Sequence, residues 1–148
     1  MLEERRETLQ KTIEFLQNRM TIQPKIAIVL GSGLGGLTKE IEILDEIPYG
    51  EIPNFPVSTV KGHKGTLIFG RLNQVEVVVL NGRFHYYEGY DFDTVAFYVR
   101  VMHLLGVDVV YDKCPELGHA FAADVGLYPE ADAACQRAID FLKAEIGA

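Results

Sequence analysis

The sequence predicts an α/β fold: a single three-layer domain over 1–148, with a mostly parallel central sheet, one antiparallel hairpin and helices on both faces. Three observations predict it. Ile26 to Leu30 is apolar throughout, as suits a central strand covered on both faces and freed from polar alternation. Strand-like runs of this kind alternate with segments of helical apolar spacing, the order expected of α/β layers. Two further strand-like runs, Gly65 to Phe69 and Val75 to Leu80, flank a tight turn near Asn73 and supply the antiparallel element.

Taken in order, Leu9, Ile13, Leu16 and Met20 fall at spacings of four, three and four and predict an amphipathic helix from Leu2 to Met20. The central strand then breaks into glycines at 31, 33, 35 and 36 around Ser32, followed by a short helix from about Leu34. Prolines at 48, 53 and 56 predict an extended connection between Ile41 and Phe55. Val57 to Val60 reads as a strand. Asp93 to Leu105 reads as a helix burying Val95, Val99 and Met102 and stopping at Gly106. A short buried strand is expected at Val107 to Tyr111, then an irregular connection from Asp112 to Pro129. The closing helix, Pro129 to Ile146, turns Ala134, Ala138, Phe141 and Leu142 inwards.

Composition narrows the function classes. The 148 residues carry a formal charge of −7, with 48% hydrophobic and 24% charged residues, a balance that disfavours general binding to nucleic acid or anionic lipid. No apolar run reaches the length of a membrane span, and the opening Met-Leu-Glu-Glu-Arg-Arg is not a secretory signal. A cytoplasmic protein is expected, with no membrane and no nucleic-acid partner. Cys114 and Cys135 are too few for a disulfide framework and too isolated for zinc, so both are expected as thiols, with no metal site.

Chemistry gathers at two places. Glycines around Ser32 let several backbone N–H groups converge on one anion. The G-x-G-x-x-G pattern of Gly31 to Gly36 also fits dinucleotide sites, but the helix is short and the acid at ribose distance, Glu51, lies among prolines. The second place is Asn81 to Tyr90, directly after a buried strand. Arg83 offers a forked, permanently charged donor for phosphate and His85 a second donor, with Glu88 three residues on to hold the other ring nitrogen. Bland alternatives are a surface ion pair for Arg83 and His85, an ordinary loop thiol for Cys114, a core position for Cys135 and a surface or helix-end position for His103.

Four segments in this order, Val29-Leu-Gly-Ser-Gly-Leu-Gly35, Ile47-Pro-Tyr-Gly-Glu-Ile-Pro-Asn-Phe-Pro56, Gly62-His-Lys-Gly65 and Gly82-Arg-Phe-His-Tyr-Tyr-Glu-Gly-Tyr90, resemble the trimeric-type purine nucleoside phosphorylases. The likeness spans roughly Thr8 to Val107. It implies cleavage of a purine nucleoside by inorganic phosphate. It further implies that Ser32, Gly33, His63, Arg83 and His85 bind phosphate, that His85 is the catalytic group, that Tyr87 touches ribose and that Glu88 orients His85. Phosphate is then the expected small ligand, with no other cofactor, and self-association is open. The family's Asn-Ala-Ala-Gly-Gly stretch and purine-recognising half do not follow Tyr111.

Gly118-His-Ala-Phe121 and the helix from Ala131 to Ala144 resemble instead the last strand-loop-helix of dienelactone hydrolases. That likeness implies that His119 is a hydrolase-type base, although no G-x-[SC]-x-G elbow accompanies it. Cys114, five residues away, suggests a Cys/His esterase. Together the two resemblances imply an engineered or recombined chimera joining 1–111 to 112–148, a folded scaffold without a complete active site and not catalytically competent. The alternative they leave is a phosphorylase-like binder of phosphate or ribose phosphate with weak glycosyl transfer.

Overall fold

The computed structural model describes residues 2–31, 33–57, 65–114, 117 and 124–147. The chain divides into two compact units, 1–109 and 110–148. In the first, α1 (Leu2–Arg19) leads to β1 (Ile26–Leu30), a 3-10 helix (Gly35–Glu40) and β2 (Glu42–Pro48). β3 (Thr66–Leu72), β4 (Val75–Asn81), α2 (Phe92–Val95) and α3 (Phe97–Leu104) follow.

These strands form one four-stranded sheet in the order β1-β4-β3-β2. Only β1 and β4 run parallel; β4 with β3, and β3 with β2, are antiparallel. The expected mostly parallel sheet is therefore wrong: a three-strand meander dominates, joined along one edge to a single parallel neighbour. The misreading has a physical source. The buried run Val77 to Asn81 lies between two strands with both faces covered, and covered faces remove polar alternation whichever way the neighbours run. The three-layer arrangement also fails within this unit, where α1 and α3 dress one face and a 3-10 turn dresses the other.

The extended connection predicted between Ile41 and Phe55 is instead β2 and a short 3-10 helix (Tyr49–Glu51). Pro48 ends an edge strand, where a missing N–H costs no ladder bond. Exposed Glu42 and Glu46 keep that edge from pairing with other chains. A register shift between Ile43 and Asp45 lies opposite Gly70, where a Cβ would sit 2.5 Å from the Glu42 carbonyl oxygen. The β3–β4 turn places Asn73 at φ 48° and Gln74 at φ 69°, the two consecutive positive values of a tight hairpin.

Ile13 and Leu16 of α1 and Val101 and Met102 of α3 bury against Leu67, Phe69, Val78 and Leu80 of the sheet. Each such side chain contributes about 1.5–3 kcal/mol on burial. The opposite face holds Leu30, Ile68, Val77 and Val79, with Leu37 of the 3-10 helix packed on them. The helix expected over Asp93 to Leu105 breaks at Ala96, and Val101 and Met102 are buried where Val95 and Val99 are only half-buried. Gly106, at φ 95°, ends it. Val107 is buried, but Val109, Val110 and Tyr111 are exposed and outside any strand, so the strand expected there is absent. An apolar run becomes a strand only with a hydrogen-bonding neighbour. Most of Val57 to Val60 lies outside the described residues, and Val57 itself is not in a strand.

In the second unit α4 (Pro129–Ile146) opens on a proline at its first position and closes on Gly147 at φ 74°. Ala131 and Ala134 are buried, whereas Ala138 and Leu142, expected to face inwards, are exposed. No described helix is long and apolar enough to cross a membrane.

Candidate functional site

The parallel pair positions the site. Leu30 lies opposite Asn81, so the glycine turn after β1 and the segment after β4 leave the sheet together, at the carboxyl ends where α/β folds collect ligands. Arg83 crosses that gap. A Cβ on Gly31 would lie 3.3 Å from an Arg83 terminal nitrogen, so the guanidinium rests close against the Gly31 backbone. Gly33, at φ 87°, continues the turn. Ser32 lies outside the described residues, as does His63.

Arg83, His85 and Glu88 form one relay. Arg83 Nε donates to His85 Nε2 at 2.9 Å, and His85 Nδ1 lies 2.9 Å from Glu88 Oε1. A guanidinium N–H can only donate, so Nε2 accepts and the ring proton sits on Nδ1, facing the carboxylate. The same carboxylate oxygen accepts the His85 backbone N–H at 2.9 Å. Glu88 is nearly covered, its side chain 2% exposed. Its position follows from a short 3-10 turn, Tyr86–Glu88, closed by Gly89 at φ 91°. Tyr87 stacks on His85, with ring centres 4.5 Å apart, and is otherwise exposed.

Two tyrosines that the sequence reading left without a role hold these pieces. Tyr49, fully buried, donates its hydroxyl to the Gly82 carbonyl at 2.7 Å, directly before Arg83. Burial pushes its phenol well above the ordinary tyrosine range, with a smaller contribution from Tyr98. Tyr90 OH donates to the Val57 carbonyl at 2.6 Å and accepts the Val57 N–H at 3.3 Å. Gly65 N–H bonds the Asn81 carbonyl at 3.0 Å. Both tyrosines lie inside motifs named above, and a hydroxyl reaching backbone is the signal that identifies them.

The tail residues are placed differently. Cys114 is a free thiol whose sulfur accepts from Arg137 at 3.5 Å, and Arg137 also pairs with Asp112 at 2.9 Å. His119 lies outside the described residues, so the Cys114 and His119 pair is not placed. Cys135 is a half-buried free thiol, not a core residue, and His103 is exposed. Among the described residues no group of three or more His, Cys, Asp or Glu could hold a metal ion.

The glycine turn and Arg83 thus meet at the carboxyl ends of the parallel pair, and comparison with known proteins assigns the family. The pattern of the Phosphorylase superfamily matches residues 25–111, and the chain belongs to that family. Purine nucleoside phosphorylase 1 of Geobacillus stearothermophilus is 54% identical over 103 residues, covering 70% of this chain and 38% of that protein. The purine nucleoside phosphorylase of Rattus norvegicus is 51% identical over 104 residues, covering 70% of this chain and 36% of its own length. Isoform 2 of purine nucleoside phosphorylase from Schistosoma mansoni, solved in complex with cytosine and ribose-1-phosphate, superposes with a TM-score of 0.63 at 44% identity. That likeness covers 70% of this chain and 36% of the solved one. The chain thus spans a little over a third of the length of these relatives. None of these matches supports the hydrolase likeness of the tail or a recombined, engineered origin.

Proposed function

We propose that this chain binds inorganic phosphate, and the phosphate of a ribose phosphate, between the glycine turn after β1 and the Arg83–Glu88 segment. The observation that carries the reading is the Arg83 guanidinium held over Gly31 beside a histidine whose tautomer Glu88 sets. Arg83 supplies permanent charge and a planar fork for two phosphate oxygens. Backbone N–H groups around Ser32 and Gly33, the Ser32 hydroxyl and His63 complete the cradle, His85 steadies Arg83 through Nε2, and Tyr87 lies against the sugar. Glu88 acts through His85. The reaction this site would serve is weak transfer of a ribosyl group from a purine nucleoside to phosphate. Phosphate there would stabilise the developing ribosyl cation and attack it. The purine nucleoside phosphorylases among its relatives support the substrate class.

Thermal unfolding with increasing phosphate at constant ionic strength tests the binding. Phosphate at a hundred times its dissociation constant should stabilise the fold by about 2.7 kcal/mol, and Arg83→Ala should abolish the gain. A melting temperature indifferent to millimolar phosphate in the parent chain overturns the proposal.

A further inference from the structure

A separate cavity of about 530 Å³ lies in the first unit, between the start of α1 and the α2–α3 segment. Its size falls within the range of about 300–1,000 Å³ that small-molecule sites occupy. Leu9 and Phe97, both packed against the main core, form its apolar wall. Its rim holds Arg5, Arg6 and Arg100 against Glu4 and Asp93, an excess of one positive charge in a chain whose formal charge is −7.

Asp93 is shared between two guanidiniums. Its carboxylate lies 2.6 Å from Arg5 and 3.0 Å from Arg100, whose other terminal nitrogen donates to the Asp93 carbonyl at 3.2 Å. Each guanidinium carries five N–H donors, more than one carboxylate and one carbonyl can use. All three side chains are about half exposed, so the existing pairs are held weakly and yield to a competing anion.

We propose that this cavity binds an aromatic monoanion, a ring bearing one carboxylate or sulfonate, with the ring on Leu9 and Phe97 and the anionic group between Arg5 and Arg100. An aromatic ring is favoured over an alkyl chain because it meets both the Phe97 ring and the flat guanidinium faces. The site is independent of the phosphate cradle and uses none of its residues.

The probe is 1-anilinonaphthalene-8-sulfonate, titrated into the full chain by fluorescence, with uncharged N-phenyl-1-naphthylamine as its partner. Saturable 1:1 binding of the sulfonate should weaken at least tenfold in Arg5→Gln/Arg100→Gln, while the uncharged ring changes less than twofold. Asp93→Asn removes the competing carboxylate and should tighten sulfonate binding severalfold while the uncharged ring changes less than twofold, a charge-selective gain that the exposed core of a misfolded variant would not produce. Amide shifts on sulfonate addition should centre on Leu9 and Thr94. Equal sulfonate affinity in parent and double variant, no gain in Asp93→Asn, or shifts centred elsewhere would overturn the proposal.

Discussion

Phe69 and Leu142 are both large apolar residues on regular elements, and their surroundings differ as much as the units that hold them. Phe69 sits on an inner strand with no exposed surface, between the sheet and two helices. Leu142 sits on an amphipathic helix whose Ile139, Leu142 and Ile146 remain at least 37% exposed. The first unit has a sheet with α1 and α3 packed on one face and the 3-10 helix on the other, so its apolar pattern is met by cover on both faces. Among its described residues the second has one long helix, and only Ala131 and Ala134 on it are buried. An apolar stripe is thus a requirement for a partner, and a sheet provides one more completely than a lone helix. The family match, ending at Tyr111, stops close to where the first unit ends.

The sharpest way to break this comparison is at Phe69. Phe69→Ala should cost about 3–5 kcal/mol, read from urea unfolding of the full chain, because the strand pairing on one side of the cavity and the packed helices on the other limit how far it can close. A loss under about 1 kcal/mol would mean that the core collapses into the gap, contrary to a rigid sheet.

Glu88 tests whether the site segment shares that rigidity. Glu88→Ala leaves the His85 ring N–H and backbone N–H without their acceptor in a nearly covered position, and should cost about 1–3 kcal/mol. Glu88→Gln keeps an acceptor and should recover part of that loss. Equal losses in both variants would show that the carboxylate charge, not the hydrogen bonding, is what the segment needs.

A smaller effect, with a direction in pH, comes from Tyr49. Tyr49→Phe removes its bond to the Gly82 carbonyl and should cost about 0.5–1.5 kcal/mol near neutrality. Burial raises the phenol's folded pKa above its unfolded value, near 10. The contribution is therefore fully present below about pH 10 and declines above it, as the unfolded chain releases a proton that the folded one retains. The phenylalanine variant should lose less stability than the parent from pH 10 upwards. Tyr98, also raised by burial, keeps part of the slope in both proteins. Identical alkaline profiles would separate Tyr49 from the alkaline transition.

How far the sequence could be read follows from the range of each signal. The 3.6-residue spacing of Ile13 and Leu16 identified α1, and the two strand runs around Asn73 identified the hairpin, because both signals are local. Strand direction is not local: Val77 to Leu80 looks the same beside a parallel or an antiparallel neighbour, and that ambiguity produced the wrong sheet. Pro48 misled for a related reason, since its effect depends on whether the strand is an edge. At the site, the residues between Arg83 and Glu88 lie close enough in sequence for their relation to be anticipated. The seat of Arg83 on Gly31 and the reach of Tyr49 to Gly82 join residues far apart in the chain, which spacing alone does not encode. In α4, Leu142 has the right periodicity for burial, and periodicity says which face wants cover without saying that cover exists.

Leu142 therefore carries the smallest expected effect and the finest test of the comparison. A residue 42% exposed loses little burial on truncation, so Leu142→Ala should change stability by less than about 0.5 kcal/mol. Alanine's higher helix propensity offsets part of even that. The reading is made by the same urea unfolding used for Phe69→Ala, so the two variants span the range from a closed core to an uncovered stripe. A loss of about 2 kcal/mol or more at Leu142 would place it among substitutions of buried leucines. The α4 stripe would then be covered in solution, and the contrast between the two units would fail where it is most specific.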